Sequence, residues 1–455
     1  MRLQECRADG IGVKSLLVVG VTLLLLGMSG CVPNRAYRRD GAAVQDPATI
    51  LNPGAGPTTN PDVALGFVEF DDMGEFWQSC SSLSAGTECQ LSRVLSLIRA
   101  KKKVLCEGIE NCRRDVVVIV FVHGWKNNAS PDNEKHKNLY AFKTLLSQLA
   151  MREKAMAAAE GQSTRTYIGI YMAWRGQSLA GDLFATFWNR RDAAGRIAGP
   201  SFSEAVFRII AASKEDSPNN KVIIVGHSFG ARLLENAISD TFVSLILPNP
   251  NLESSAHPNN PIISPADLVV YVNSANDSFH AKEMIELLRR SSVTVGRTPG
   301  VPAGPLFLSV TSVGDLATKI AFPLGQGLSS VTKSFRRYDQ PPSGQQSPSQ
   351  RDFFTHTAGH LPYLFSHEVV PNPSVEAECE SAGDIVRFFA AAHCYELHPK
   401  LARWNDSPYW ITTVPSAIIP DHSQIFTGSF VQMLTEIIVH YEVVDSKQPT
   451  RMLVQ

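Results

Sequence analysis

The chain of 455 residues has no surplus of charge of either sign: 42 lysines and arginines stand against 43 aspartates and glutamates. Net charge therefore cannot drive binding to nucleic acid or to an anionic membrane. Charged residues are scarce, at 19%, while hydrophobic residues reach 44%, which excludes global disorder. Glycine (31) and proline (28) stay at ordinary usage, which excludes collagen-like and low-complexity structure. The eight cysteines contain no CxxC pair, so a zinc site lacks its usual ligand frame. There is no internal repeat. The uncharged run Ser15–Met28 is shorter than the about 20 residues a spanning helix needs.

That run follows Lys14, with Arg2 and Arg7 upstream, and reads as the apolar core of a secretory signal. It ends in Met28-Ser29-Gly30-Cys31, which resembles the lipobox of bacterial lipoproteins. The resemblance implies a signal peptide over 1–30, lipid on Cys31, and a place in the bacterial cell envelope. An uncleaved N-terminal anchor is the alternative. Residues 31–63 are rich in proline and poor in apolar periodicity, and are expected to form a tether. Setting aside Cys6 and Cys31, six cysteines remain, as the close pairs Cys80/Cys89, Cys106/Cys112 and Cys379/Cys394. An even number in an exported chain suits disulfides, although spacing leaves their connectivity open.

From residue 64 the chain alternates short apolar runs with longer amphipathic stretches, the pattern of an α/β fold with a parallel sheet. Buried parallel strands should read as continuous Val/Ile runs. Such runs are Val116–Val122, Thr166–Trp174, Lys221–Val225, Asp267–Asn273, Pro305–Ser312 and Pro408–Val414, with Ala64–Phe70 before them. Helices are expected over Leu139–Ala157, Phe202–Ala212 and Ala281–Arg290. Ligands of open α/β sheets bind beyond the carboxyl ends of the strands, so the residues just after each run carry the chemistry.

After Val225 comes Gly226-His227-Ser228-Phe229-Gly230, followed by a helical stretch. A serine on a sharp strand-to-helix turn needs small neighbours, and the helix start offers free N–H groups. After Val122 comes His123-Gly124-Trp125. Together, the FVEF segment, the HGW loop, the YMAWRG segment and the GHSFG elbow resemble the serine hydrolases of the α/β-hydrolase superfamily, over roughly 64–445. The resemblance implies Ser228 as nucleophile. It makes the backbone N–H groups of Trp125 and Phe229 the oxyanion donors, supported by His123, Gly124, Gly226 and Gly230.

The superfamily order Ser…acid…His then places the acid at Asp315, in TSVGD after the second strand beyond the elbow. Asp277, after the earlier strand, is the other candidate. His422, in the loop after Pro408–Val414, takes the position of the base. His440 falls inside a helix. His356, His360 and His367 sit in a histidine–aromatic cluster with no acidic spacing for a metal.

Residues 316–406 are too long for one crossover and form an insertion before the last strand. It is expected to act as a lid or wall. Its aromatics Phe353, Phe354, Tyr363 and Phe365 would face an acyl group or pack among themselves. Asp182–Arg196 is a second candidate for the border of the pocket. The expected activity is cleavage of a small-molecule ester through an acyl-enzyme, without cofactor or metal. Thioesterase, peptidase and acyltransferase would use the same residues. A non-catalytic envelope lipoprotein that binds through this fold is the rival from another class.

Overall fold

The computed structural model describes residues 35–52, 56–60, 62–78, 89–103, 114–131, 138–160, 164–177, 186–217, 219–246, 265–290, 304–336, 347–373, 379, 381, 385–400 and 407–441. The expected signal peptide, Cys31, Cys80, Cys106 and Cys112 lie outside them.

In chain order the strands are β1 (Val44–Gln45), β2 (Ala48–Asn52), β3 (Gly56–Asn60), β4 (Val63–Glu69), β5 (Val116–Val122), β6 (Thr166–Ala173), β7 (Lys221–His227), β8 (Leu268–Val272), β9 (Phe307–Ser312), β10 (His367–Asn372), β11 (Val386–Ala390), β12 (His393–Pro399) and β13 (Tyr409–Val414). The helices are α1 (Gln90–Lys102), α2 (Asn138–Glu160), α3 (Thr186–Ile197), α4 (Pro200–Lys214), α5 (Phe229–Ile246), α6 (Ser278–Arg290), α7 (Phe322–Ser330), α8 (Gln350–Thr355) and α9 (Gly428–His440).

Eight strands form one sheet in the order β1-β4-β6-β5-β7-β8-β9-β13. Every pair is parallel except β1 with β4. This is the mostly parallel sheet of the α/β-hydrolase fold. The continuous apolar runs have a simple cause. In β5, Val116, Val118, Val120 and Val122 join one core, while Val117, Ile119 and Phe121 join the other. Alternate side chains leave a strand on opposite faces, so a strand covered on both sides has no position for a polar residue. One core is shared with α1, α4, α5 and α6, the other with α2 and α9.

β5 lies between β6 and β7, so the chain leaves β5 toward one side, returns, and continues on the other. The reversal opens a crevice at the carboxyl ends of β5 and β7. The HGW loop and the GHSFG elbow are the segments that leave those ends.

Two expectations are corrected. Residues 35–48 do not behave as a tether. Glu69, a carboxylate inside an otherwise apolar buried strand, accepts the backbone N–H groups of Tyr37 at 3.0 Å and Arg38 at 2.7 Å. Arg38 donates through Nε to Ala129 O at 2.7 Å, and its guanidinium lies 4.5 Å from the centre of the Phe67 ring. A buried carboxylate needs such donors, and the sequence before β4 supplies them. The second correction concerns only the later part of the insertion, residues 367–399, since its first residues do line the cavity beside Ser228. Strands β10, β12 and β11 form a separate antiparallel sheet whose apolar residues pack with α9 and Trp410, and none of its residues lines the cavity. Cys379 and Cys394 are bonded there, and Cys89 is also in a disulfide.

Candidate active site

Ser228, Asp315 and His422 come together at the carboxyl ends of β7, β9 and β13. Ser228 Oγ lies 2.7 Å from His422 Nε2, and His422 Nδ1 lies 2.8 Å from Asp315 Oδ2. Since the carboxylate only accepts, His422 carries its proton on Nδ1 and accepts from the Ser228 hydroxyl. Ser228 is held at φ 57°, in the left-handed region. Its strain is maintained by its own N–H, which donates to Val272 O at 3.0 Å, and by neighbours that have no room to move. A Cβ on Gly124 would stand 2.7 Å from Ser228 Cβ, and one on Gly230 only 2.2 Å from Val122 O. Glycine is required at both because the two loops cross in contact.

Asp315 is fully buried. Burial pushes its carboxyl up, but the adjacent His422 and the hydrogen bonds from His422 and Thr318 outweigh it and hold the carboxyl below its ordinary value. Thr318 donates its hydroxyl to Asp315 Oδ2 at 2.6 Å and its backbone N–H to Oδ1 at 3.0 Å. The Thr318 hydroxyl in turn accepts from His360 Nε2 at 2.9 Å. Asp277, the other acid candidate, lies instead beside Arg232.

Trp125 and Phe229, the residues expected to supply the oxyanion donors, line the same cavity as Ser228 and His422. Among the described residues neither the Trp125 nor the Phe229 N–H has an acceptor; the neighbouring Lys126 N–H goes to Gly176 O at 2.9 Å. His123 does not enter the cavity. Its Nε2 accepts the Trp174 N–H at 3.1 Å and its Nδ1 donates to Gly124 O at 2.9 Å, with the ring stacked on Trp174. It fixes the shape of the loop from behind. Asp72 bridges Arg175 and Arg190 and so ties the YMAWRG segment to α3.

Two further site residues carry no motif of their own. His227 is buried, and desolvation, reinforced by the nearby His422, pushes its pKa down to about 3. It is therefore neutral, and its Nε2 donates to His422 O at 2.7 Å. Asn273, at φ 47°, donates to Asp421 O at 3.1 Å and His422 O at 3.2 Å, and accepts from Ser312 N at 2.9 Å. Between them they hold the loop that carries His422. The only signal for His227 is its place as the variable position inside GHSFG, and for Asn273 that it is a polar residue ending an apolar strand.

Ser228 and His422 open on a cavity of about 820 Å³. Its walls include Trp125, Phe187, Phe229, Phe322, Ile425 and Phe426. Phe187 belongs to the Asp182–Arg196 segment, so that border is found where it was expected. Of the insertion, Ala317, Thr318, Ala321 and Phe322 line the cavity. Phe353 instead packs edge-on against Tyr363, and Phe354 against Phe335. His356 bonds to Asp352 O, while His367 stacks on Trp410 at 3.8 Å. The histidine cluster is thus dispersed, and no group of three metal-ligating side chains occurs among the described residues.

No protein-family model and no curated sequence matches the chain. Among solved structures, it is similar to phospholipase PlaB from Legionella pneumophila in complex with thio-NAD, with 11% identity and a TM-score of 0.29. That likeness covers 72% of this chain and 59% of the other. An uncharacterized protein from Pseudomonas aeruginosa is also 11% identical, with a TM-score of 0.24 and coverage of 57% and 42%. The Tle1 effector bound to the VgrG spike of the Type 6 secretion system is 12% identical, with a TM-score of 0.15 and 61% of each chain covered. The chain spans less than two thirds of the length of each. At such distances the site's own geometry has to carry the functional argument.

Proposed function

We propose that the protein is a serine hydrolase that cleaves carboxylic esters through an acyl-enzyme. One observation carries this reading. The hydrogen-bonded series Ser228–His422–Asp315 opens on a largely apolar cavity that Trp125 and Phe229 also line.

His422 Nε2 takes the Ser228 proton as Oγ attacks the ester carbonyl carbon. The carbonyl oxygen becomes an anion held by the Trp125 and Phe229 N–H groups, a few kcal/mol of stabilisation per donor. The imidazolium, stabilised by the Asp315 carboxylate, returns the proton to the leaving alkoxide and an alcohol departs. Water then attacks the acyl-enzyme, His422 again accepting the proton, and a carboxylic acid is released. The aromatic and aliphatic walls suit the hydrocarbon part of an ester. An alcohol or amine in place of water would give acyl transfer with the same residues, and product analysis separates the two outcomes.

Labelling by a fluorophosphonate probe tests the reading. Wild type should label and Ser228→Ala should not. Asp277→Asn should label normally, whereas Asp315→Asn should label far more slowly. Absence of label on wild type, or equal label on Ser228→Ala, would leave a non-catalytic envelope protein as the better reading. We also propose that lipid on Cys31 tethers the enzyme to the bacterial envelope. A mass for the mature chain that begins at a diacylated Cys31 is the expected result.

A further inference from the structure

We infer that the ridge formed by residues 313–331 docks on a lipid surface bearing anionic headgroups, beside the mouth of the cavity. The described residues expose few large apolar side chains, and six of them fall in this short segment. They are Val313, Leu316, Ile320, Leu324, Leu328 and Val331, exposed by 49%, 61%, 51%, 67%, 74% and 78%. Leu316, Ile320, Leu324 and Leu328 recur every four residues through a π-helical turn, Ala317–Ala321, and α7. That spacing puts them on one face. Ala317, Thr318, Ala321 and Phe322, on the inner side of the same element, line the cavity. Trp188 lies alongside, where a Cβ on Gly325 would meet its ring at 3.5 Å, and Trp188 packs edge-on against Phe187 in the cavity wall. Apolar surface thus runs from the outer ridge to the nucleophile.

The charge around the ridge selects the occupant. From Leu316 to Arg336 there is no aspartate or glutamate, while Lys319, Lys333 and Arg336 are exposed. The balanced total of the chain conceals this locally cationic stretch. An apolar stripe flanked by cations is the pattern of a helix lying in the headgroup region, with side chains sunk among acyl chains and cations on anionic phosphates. Apolar side chains exposed by about half to three-quarters suit deformable lipid, since a protein partner would have to offer a matching groove. The inference rests on the hydrolase reading in one respect: it makes the substrate an ester drawn from that surface.

Full-length protein is reconstituted with vesicles of phosphatidylcholine, alone or mixed with phosphatidylglycerol. An environment-sensitive fluorophore is placed at Leu328→Cys or, as control, at Leu245→Cys. Leu245 is also exposed, at 57%, but sits at the far end of α5, about 25 Å of helix from Ser228. The fluorophore at 328 should shift to the blue and be quenched by bilayer-embedded doxyl lipid, more strongly with phosphatidylglycerol. The fluorophore at 245 should not respond. Separately, Leu324→Asp with Leu328→Asp should slow hydrolysis of a vesicle-embedded ester about a hundredfold, about tenfold for each leucine side chain withdrawn from lipid, and leave a water-soluble ester unaffected. A probe at 328 that stays in water with both vesicles overturns the inference. So does a shift without vesicles that accompanies dimerisation, which would make a second copy the occupant. Equal responses to both vesicles would overturn the anionic preference. If wild type hydrolyses neither ester, the hydrolase reading fails, while the response at 328 still reports docking.

Discussion

Asp315 receives the Thr318 hydroxyl on the same Oδ2 oxygen that faces His422 Nδ1, at 2.6 Å and 2.8 Å. Thr318 therefore determines how much negative charge His422 meets. Thr318→Val removes the hydroxyl donor but keeps the backbone N–H to Oδ1. A hydrogen bond to a charged group is worth about 1.5–3 kcal/mol, so kcat on a soluble ester should fall about tenfold to a hundredfold. The carboxyl pKa, held low in wild type, should rise. A carboxylate with a depressed folded pKa contributes stability above its unfolded pKa and loses it as pH falls through the folded one. In Thr318→Val that loss on acidification should be smaller and complete at a higher pH. Thr318→Ser should restore both properties, and a Ser variant as impaired as Val would refute the role.

Gly124→Ala tests the contact between the HGW loop and the elbow. The new methyl would stand 2.7 Å from Ser228 Cβ and 2.9 Å from His227 O. Backbone cannot yield as a flexible side chain can, so the loop must move and carry the Trp125 N–H with it. A displacement of about 1 Å costs about a hundredfold in rate. Circular dichroism should show the fold retained while ester hydrolysis falls by at least that factor. Near-normal hydrolysis would remove Trp125 from the oxyanion assignment.

Asn273 joins three loops, and its loss should affect both stability and rate. Asn273→Ala leaves the buried Ser312 N–H without its acceptor, takes the Asn273 donor from Asp421 O, and leaves His422 O with His227 Nε2. Each unsatisfied buried group costs about 1–3 kcal/mol, so stability should fall by roughly 2–4 kcal/mol in denaturant titration. Asn273→Gly relieves the φ of 47° but not the lost hydrogen bonds. It should recover only the backbone part of the loss. Full recovery by glycine would show that the side chain holds nothing.

The sheet was legible because strands covered on both faces must be apolar throughout, and Val116–Val122 could be read from that requirement alone. That Ser228, Asp315 and His422 would lie together was legible because each follows such a strand. The supports around them were not. Thr318, His227, Asn273 and His360 act through loops that only the fold brings together, and each residue type is ordinary in isolation. A local signal did exist for Thr318, which follows Asp315 by three residues, the spacing at which a carboxylate accepts from the start of a helix. Residues 35–48 look like a tether because composition reports a segment's own polarity and not its partners. Glu69, alone in an apolar strand, is the sign that donors have to come from elsewhere. The aromatic residues of the insertion could equally pack or bind, and their mutual contacts decide for packing.

Three buried histidines should contribute to the loss of stability in acid. Burial pushes His227 and His367 down to about 3 and His360 down to about 4, from an ordinary value of 6.5. The unfolded chain takes up these protons near pH 6.5, whereas the folded chain refuses them until about pH 3–4. Below 6.5 the unfolded state therefore binds more protons, and stability must fall as pH falls, by up to roughly 1.4 kcal/mol per pH unit for each histidine. His367 is the cleanest one to remove, because it stacks on Trp410 at 3.8 Å and lies outside the cavity walls. His367→Gln should lower the melting temperature at pH 7 through the lost stacking. Between pH 6.5 and 4, however, its melting temperature should fall less steeply than that of wild type, since one proton-refusing group is gone. Parallel curves for the two proteins would mean that His367 takes up its proton in the folded state, and that other groups account for the loss in acid.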